Sequence, residues 1–135
     1  MGKKSRDKGK SGEREFLNAL GDELGLRLSR NLNQSDEGGA DNTQLPGWSI
    51  EIKRYAQPSL AAWWRQACEQ AADNQMPVLA YRLDYQSWKV VVPMRAVNPG
   101  FADSDSRDLD MAVTLTVPGF AAVVRKSISF TESAA

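Results

Sequence analysis

The run Val90-Val91-Val92, inside residues 88–94 (WKVVVPM), places the tightest limit on the fold. A strand with one wet face alternates apolar and polar side chains, whereas a near-continuous apolar run belongs to a strand covered on both faces. Residues 77–84 (PVLAYRLD) read as a second strand, joined to the first by a short turn. Helices on the two faces of a sheet supply that double cover, which points to an α/β architecture.

The helices are visible on either side. Ser11 is an N-cap for a first helix that runs to about Leu24, with Phe16, Leu17, Leu20 and Leu24 at helical spacing and Gly25 ending it. Residues 26–31 (LRLSRN) alternate as a strand, with Leu26 and Leu28 inward. Residues 33–40 are polar and glycine-rich and read as a mobile loop, followed by a short strand at 41–44. Pro58 suits the first turn of a second helix reaching about Asn74. Leu60, Trp64, Ala67, Cys68 and Ala71 form its apolar stripe, while Trp63, Gln66 and Gln70 form a neighbouring one. Trp63 is then either a surface aromatic that meets a partner or a sign that this helix is buried on two sides. Residues 98–110 form an acidic loop without the spacing of a calcium-binding hand. A late strand at 111–117, a short helix at 118–126 and a frayed tail complete the chain.

The expected architecture is a small mixed β-sheet flanked by helices, in one domain over residues 10–126. Residues 1–9 are expected to be a disordered basic arm and residues 127–135 a C-terminal tail. Among 135 residues, 41% hydrophobic and 25% charged content fit a soluble globular domain. No apolar run approaches the roughly 18 residues of a membrane span, and nothing apolar follows the basic start as in a secretory signal.

Histidine is absent and cysteine occurs once, at Cys68. This excludes Ser-His and Cys-His nucleophiles, a disulfide framework, and zinc sites built on cysteine and histidine. Catalysis must rest on carboxylates, lysine, hydroxyls or an oxygen-bound metal ion. The lone cysteine and the lack of a targeting segment suit a cytoplasmic setting.

Charge is zero overall but unevenly spread. Lys3, Lys4, Arg6, Lys8 and Lys10 against Asp7 give residues 1–10 a net charge of +4, while 11–100 and 101–135 each carry −2. Such an arm either binds a polyanion or is simply solvated.

Residues 48–53 (WSIEIK) alternate as a half-buried strand, with Ile50 and Ile52 on one face and Ser49, Glu51 and Lys53 on the other. Asp41 lies ten positions before Glu51, across a Leu45-Pro46-Gly47 turn. A turn there folds a second carboxylate back towards the first. Two acids and a lysine on one spot can hold a hard divalent cation and activate water; with nothing more, Glu51 and Lys53 are a solvated ion pair. Mg²⁺ would take the carboxylates of Asp41 and Glu51 and the Ile52 carbonyl. Glu13 sits on or beside the apolar stripe of the first helix, where a carboxylate also gains from the helix dipole.

Asp41 followed by Glu51-Ile52-Lys53 resembles the PD-(D/E)XK nuclease signature. Lys8-Gly9-x-x-x-Glu13-Arg14-Glu15 resembles the opening motif of archaeal-type and phage Holliday-junction resolvases. Arg30 and Gln66 resemble a basic residue and a motif glutamine of that group. The resemblance spans about residues 8–95 and implies a restriction-endonuclease-like core and Mg²⁺-dependent cleavage of DNA, with Mn²⁺ as a substitute. Carried over by position, Glu13, Asp41, Glu51 and Ile52 would bind metal, and Lys53 would be catalytic. Gln66 would support the site, and Lys8, Lys10, Arg14 and Arg30 would contact phosphates. Branched DNA and a homodimer are the implied partners, in a bacterial or phage-infected cell. Ala40 stands where the family has a proline, so Asp36 and Glu37 compete with Asp41 as first acid. Two other readings stay open: a non-catalytic DNA-binding module on the same fold, and a sequence-specific nicking or restriction enzyme.

Overall fold

Helix α1 spans Gly2–Leu24 in the structure, a computed structural model that describes residues 2–28 and 45–134, with side chains over 9–28 and 45–127. It begins well before the expected cap at Ser11, and residues 2–9, expected to be disordered, are helical. Residues 2–10 contain no proline, and Lys3, Lys4, Arg6, Lys8 and Lys10 suit a helix. Once Phe16, Leu17 and Leu20 anchor the helix, extending it needs no new nucleus.

The helix closes with the Leu26 N–H donating to the Gly21 carbonyl at 3.0 Å, a Schellman-type end. That turn swings Leu26 outward, 51% exposed, while Leu28 is buried. Residues 26–28 are therefore not strand, and Leu26 does not face inward as the alternation predicts. The remainder of the strand expected at 26–31, the loop expected at 33–40 and the strand expected at 41–44 fall on residues 29–44, which lie outside the described residues.

The expected turn at 45–47 forms. Trp48 N–H donates to the Leu45 carbonyl at 3.2 Å across Pro46 and Gly47, and Gly47 has φ 86°, a left-handed value that glycine adopts without strain. Strand β1 (Trp48–Tyr55) follows, then helix α2 (Leu60–Gln70) and strand β2 (Met76–Leu83). Strands β1 and β2 are parallel, with Glu51 beside Leu79 and Lys53 beside Tyr81. Strand β3 (Lys89–Pro93) runs antiparallel to β2, and β4 (Ala112–Leu115) antiparallel to β3. The sheet order is β1-β2-β3-β4, so β1 is an edge strand among the described residues.

Between β3 and β4 lie a one-turn helix α3 (Met94–Val97) and two 3₁₀ turns, Pro99–Phe101 and Leu109–Met111. The acidic loop is fastened rather than loose. Ser106 receives Trp64 Nε1 on its carbonyl at 3.0 Å and Arg95 Nε on its hydroxyl at 2.6 Å. Asp105 and Asp108 spend carboxylate oxygens on the backbone N–H groups of Arg107 and Asp110. Helix α4 spans Val117–Ala134, longer than the expected 118–126, with no glycine or proline after Gly119 to stop it.

Two cores result. Phe16, Leu17, Leu20, Phe120, Ala121 and Val124 from α1 and α4 cover Ile50, Ile52, Val78, Val90 and Val92. On the opposite face, Trp63, Trp64 and Ala67 of α2 cover Leu79, Tyr81 and Val91. Val90 and Val92 thus face one layer and Val91 the other, as the apolar run requires. Each fully buried large residue contributes about 1.5–3 kcal/mol through removal from water. Trp63 is buried between Tyr55 and Tyr81, in the same cluster as Trp64, so it is neither a free surface tryptophan nor the mark of a helix buried on two sides: both rings pack on one face of the sheet. No helix among the described residues is long and apolar enough to cross a membrane.

Candidate active site

Strand β1 sets the site through its alternation. Its even-numbered residues Ile50 and Ile52 enter the core under α1 and α4. The odd-numbered residues Ser49, Glu51 and Lys53 therefore face α2. That face is not a wet one: Ser49 and Glu51 are 2% and 6% exposed. A carboxylate at such depth must be paired or must ligate a cation. Lys53 Nζ lies 3.1 Å from Glu51 Oε1, so the signature acid and lysine form an ion pair within one strand face. The solvated pair considered from sequence is thus a shielded one.

Helix α1 reaches the same strand from its other side. Gly12 is buried against Arg54, where an added Cβ would lie 2.8 Å from Arg54 Cβ. The helix therefore passes one residue from Lys53, with half-buried Glu13 beside the contact. Glu13 comes from α1 and Glu51 from β1, and the Gly12–Arg54 contact brings these two elements together. Arg54 Nη1 sits 3.6 Å from Asp84 Oδ1, and its Nε is buried without a hydrogen-bond partner among the described residues.

Glu15, two residues after Glu13, has a different task. Its Oε1 accepts from Trp88 Nε1 at 2.8 Å and from Arg82 Nη1. Arg82 Nε in turn donates to the Gln86 carbonyl at 2.7 Å. This cluster fastens α1 to the β2–β3 hairpin. Sequence reasoning missed Glu15, Arg54 and Arg82; the available signal was the i,i+2 spacing of the two acids, which puts them on different sides of a helix.

The other expected residues fall as follows. Gln66 is half-buried on α2, three positions from Trp63 and so on the side turned to the sheet. Lys10 and Arg14 are exposed on α1. Asp41, Arg30, Asp36 and Glu37 lie outside the described residues, as does the side chain of Lys8. Among the described residues no group of three or more acids, cysteines or histidines is gathered for an ion. The donors at hand are carboxylate and carbonyl oxygens, which fit a hard cation such as Mg²⁺ and not a soft one.

Elsewhere, burial pushes the Cys68 thiol from 9.0 up to about 11, opposed by Arg107 and helped by Asp105. Burial likewise raises the Tyr81 phenol.

A mixed sheet with helices on both faces, carrying Glu-x-Lys on a shielded strand, defines a restriction-endonuclease-like α/β core. A family model described as "Phage putative PDDEXK endonuclease" matches residues 4–116, from α1 through β4. The chain belongs to this phage endonuclease family of the PD-(D/E)XK type, whose members typically work with divalent metal ions. No curated protein and no solved structure matches it.

Proposed function

We propose that the chain is a Mg²⁺-dependent endonuclease that hydrolyses DNA phosphodiester bonds at the Glu51–Lys53 face, preferring branched DNA. The observation that carries this reading is the 3.1 Å pair of Glu51 and Lys53, buried in a domain of nuclease-family sequence. In the proposal Glu13, Asp41, Glu51 and the Ile52 carbonyl hold the ion, and Mn²⁺ substitutes for Mg²⁺. The ion, when bound, neutralises phosphate charge and makes a bound water more acidic.

The chain's own groups do the positioning. Lys53 is held by Glu51 at a fixed height above the strand, so its ammonium is ready for the charge that develops on the phosphate. The burial of the pair excludes bulk water and strengthens that interaction. Gln66, on the sheet side of α2, supports the site. Lys8, Lys10, Arg14 and Arg30 hold phosphates, contacts that set register without reading sequence.

The preference for branched DNA rests on the resemblance to junction resolvases and on the lack of a separate sequence-reading unit among the described residues; recognition then goes by shape. A homodimer is proposed because two symmetric cuts need two sites, and two-fold dimers are the commonest assemblies. The test is cleavage of four-way, flapped and linear duplex DNA with Mg²⁺, with Mn²⁺ and with chelator. The expected result is metal-dependent cutting, fastest on a branched substrate. Cutting of linear DNA at one short sequence would overturn the shape preference, and no cutting with either metal would overturn the catalytic role.

A further inference from the structure

Beyond Ser49, Glu51 and Lys53, the α2-facing side of β1 carries a fourth odd-numbered residue, Tyr55. Its ring stacks on Trp63 with centroids 5.3 Å apart and planes at 29°, and Trp63 leans on Tyr81 at 5.9 Å. The exposures along this ladder are graded: Tyr81 is 6%, Trp63 8% and Tyr55 47% exposed. The two inner rings are core, and the outer ring is held flat at the surface, two residues past Lys53 on the same face. Lys89 Nζ stands 5.9 Å over the Tyr81 ring and adds a cation near the inner end.

We propose that Tyr55 is a stacking platform for an unpaired nucleobase of the DNA strand whose phosphate is held at Lys53. This rests on the nuclease reading of the same face. The chemistry favours a nucleotide over a purely apolar partner, because a flat ring beside an ammonium matches a base beside its phosphate. A ring fixed by Trp63 has little rotamer freedom left to lose on binding, which favours stacking. In a duplex both faces of each base are already stacked, so the platform selects a base freed at a branch, a flap or a single strand. Stacking tolerates any base, which agrees with recognition by shape.

The test uses the full chain in chelator, so that binding is read without cleavage. The probe is a flapped duplex with 2-aminopurine at successive unpaired positions, compared with a fully paired duplex. Wild type is expected to quench the fluorescence at one or two positions, and Tyr55→Phe to keep the quenching. Tyr55→Leu, which keeps an apolar cover on Trp63, is expected to lose the quenching and to bind the flap about 5- to 100-fold more weakly, with paired-duplex binding unchanged. Quenching by wild type at no position, or unaltered flap binding by Tyr55→Leu, overturns the platform; the wild-type reading does not depend on how the variant folds. The parent reading fails separately: base quenching without cutting in any metal leaves the platform and removes the nuclease, and cutting without quenching does the reverse.

Discussion

Lys53 Nζ lies 3.1 Å from Glu51 Oε1, between side chains that project from the same face of β1 and are 15% and 8% exposed. Strand alternation makes the two residues neighbours, and α2 shields them from water. Removing one partner leaves the other charge in a poorly solvated place. Lys53→Met is therefore expected to lower stability by about 1–3 kcal/mol in urea unfolding. Glu51→Gln with Lys53→Met together should lose less than the two single changes added, the sign of a coupled pair. Additive losses would show that the ion pair does not hold in solution.

The contact of Gly12 with Arg54 gives a second, paired prediction. A Cβ at Gly12 would meet Arg54 Cβ at 2.8 Å, whereas one at Gly9 on the same helix meets nothing within 4 Å. Gly12→Ala should lower stability by about 1–3 kcal/mol by pushing α1 off β1. Gly9→Ala should be neutral or raise it by about 0.5–1 kcal/mol through helix propensity. Thermal melting of the two variants checks both; equal effects would contradict the close approach.

Glu15 should matter for folding. Glu15→Ala strips Arg82 and Trp88 of a shared acceptor and is expected to cost about 1–2 kcal/mol. The same substitution should loosen the hairpin joined to α1, seen as faster amide exchange at Gln86 and its neighbours. Unchanged exchange and stability would remove Glu15 from this role.

Cys68 sets a pH dependence. Its thiol donates to the Ser106 carbonyl at 3.5 Å, and burial lifts it to about 11. The fold favours the protonated thiol, so the stability linked to it is full below about 9 and is lost as pH rises through about 11. At pH 8 the folded chain should hold about 100-fold less thiolate than an unfolded one, since each pKa unit is tenfold, and should alkylate correspondingly slowly with iodoacetamide. Equal labelling with and without urea, followed by mass spectrometry, would contradict this.

Much of the architecture was readable where a residue's surroundings depend on its near neighbours. Val90-Val91-Val92 announced a strand with two dry faces, and Pro46-Gly47 announced the turn that launches β1. The alternation of residues 48–53 assigned Glu51 and Lys53 to one face. What alternation does not carry is depth: whether that face is wet depends on Trp63 and Trp64, which arrive from a helix later in the chain. Ser11 is a good cap in isolation, but tertiary anchoring at Phe16 and Leu20 lets α1 run back past it. Contacts such as Gly12 with Arg54, Glu15 with Arg82, or Arg125 Nη1 with the Glu23 carbonyl at 2.9 Å join distant segments and leave no periodic trace. Asp41 ranks ahead of Asp36 and Glu37 because it adjoins the expected strand at 41–44, and its place in the site is a proposal.

Nicking of supercoiled plasmid by wild type, Asp41→Ala, Glu51→Ala and Lys53→Ala, in Mg²⁺ and in chelator, addresses the central claim most directly. The expected result is metal-dependent nicking by wild type and a loss of about 100-fold or more in each variant, the scale set by removing one preorganised charge from a transition state. Wild-type rates in Glu51→Ala and Lys53→Ala, with both variants folded, would contradict the assignment of this strand as the catalytic centre.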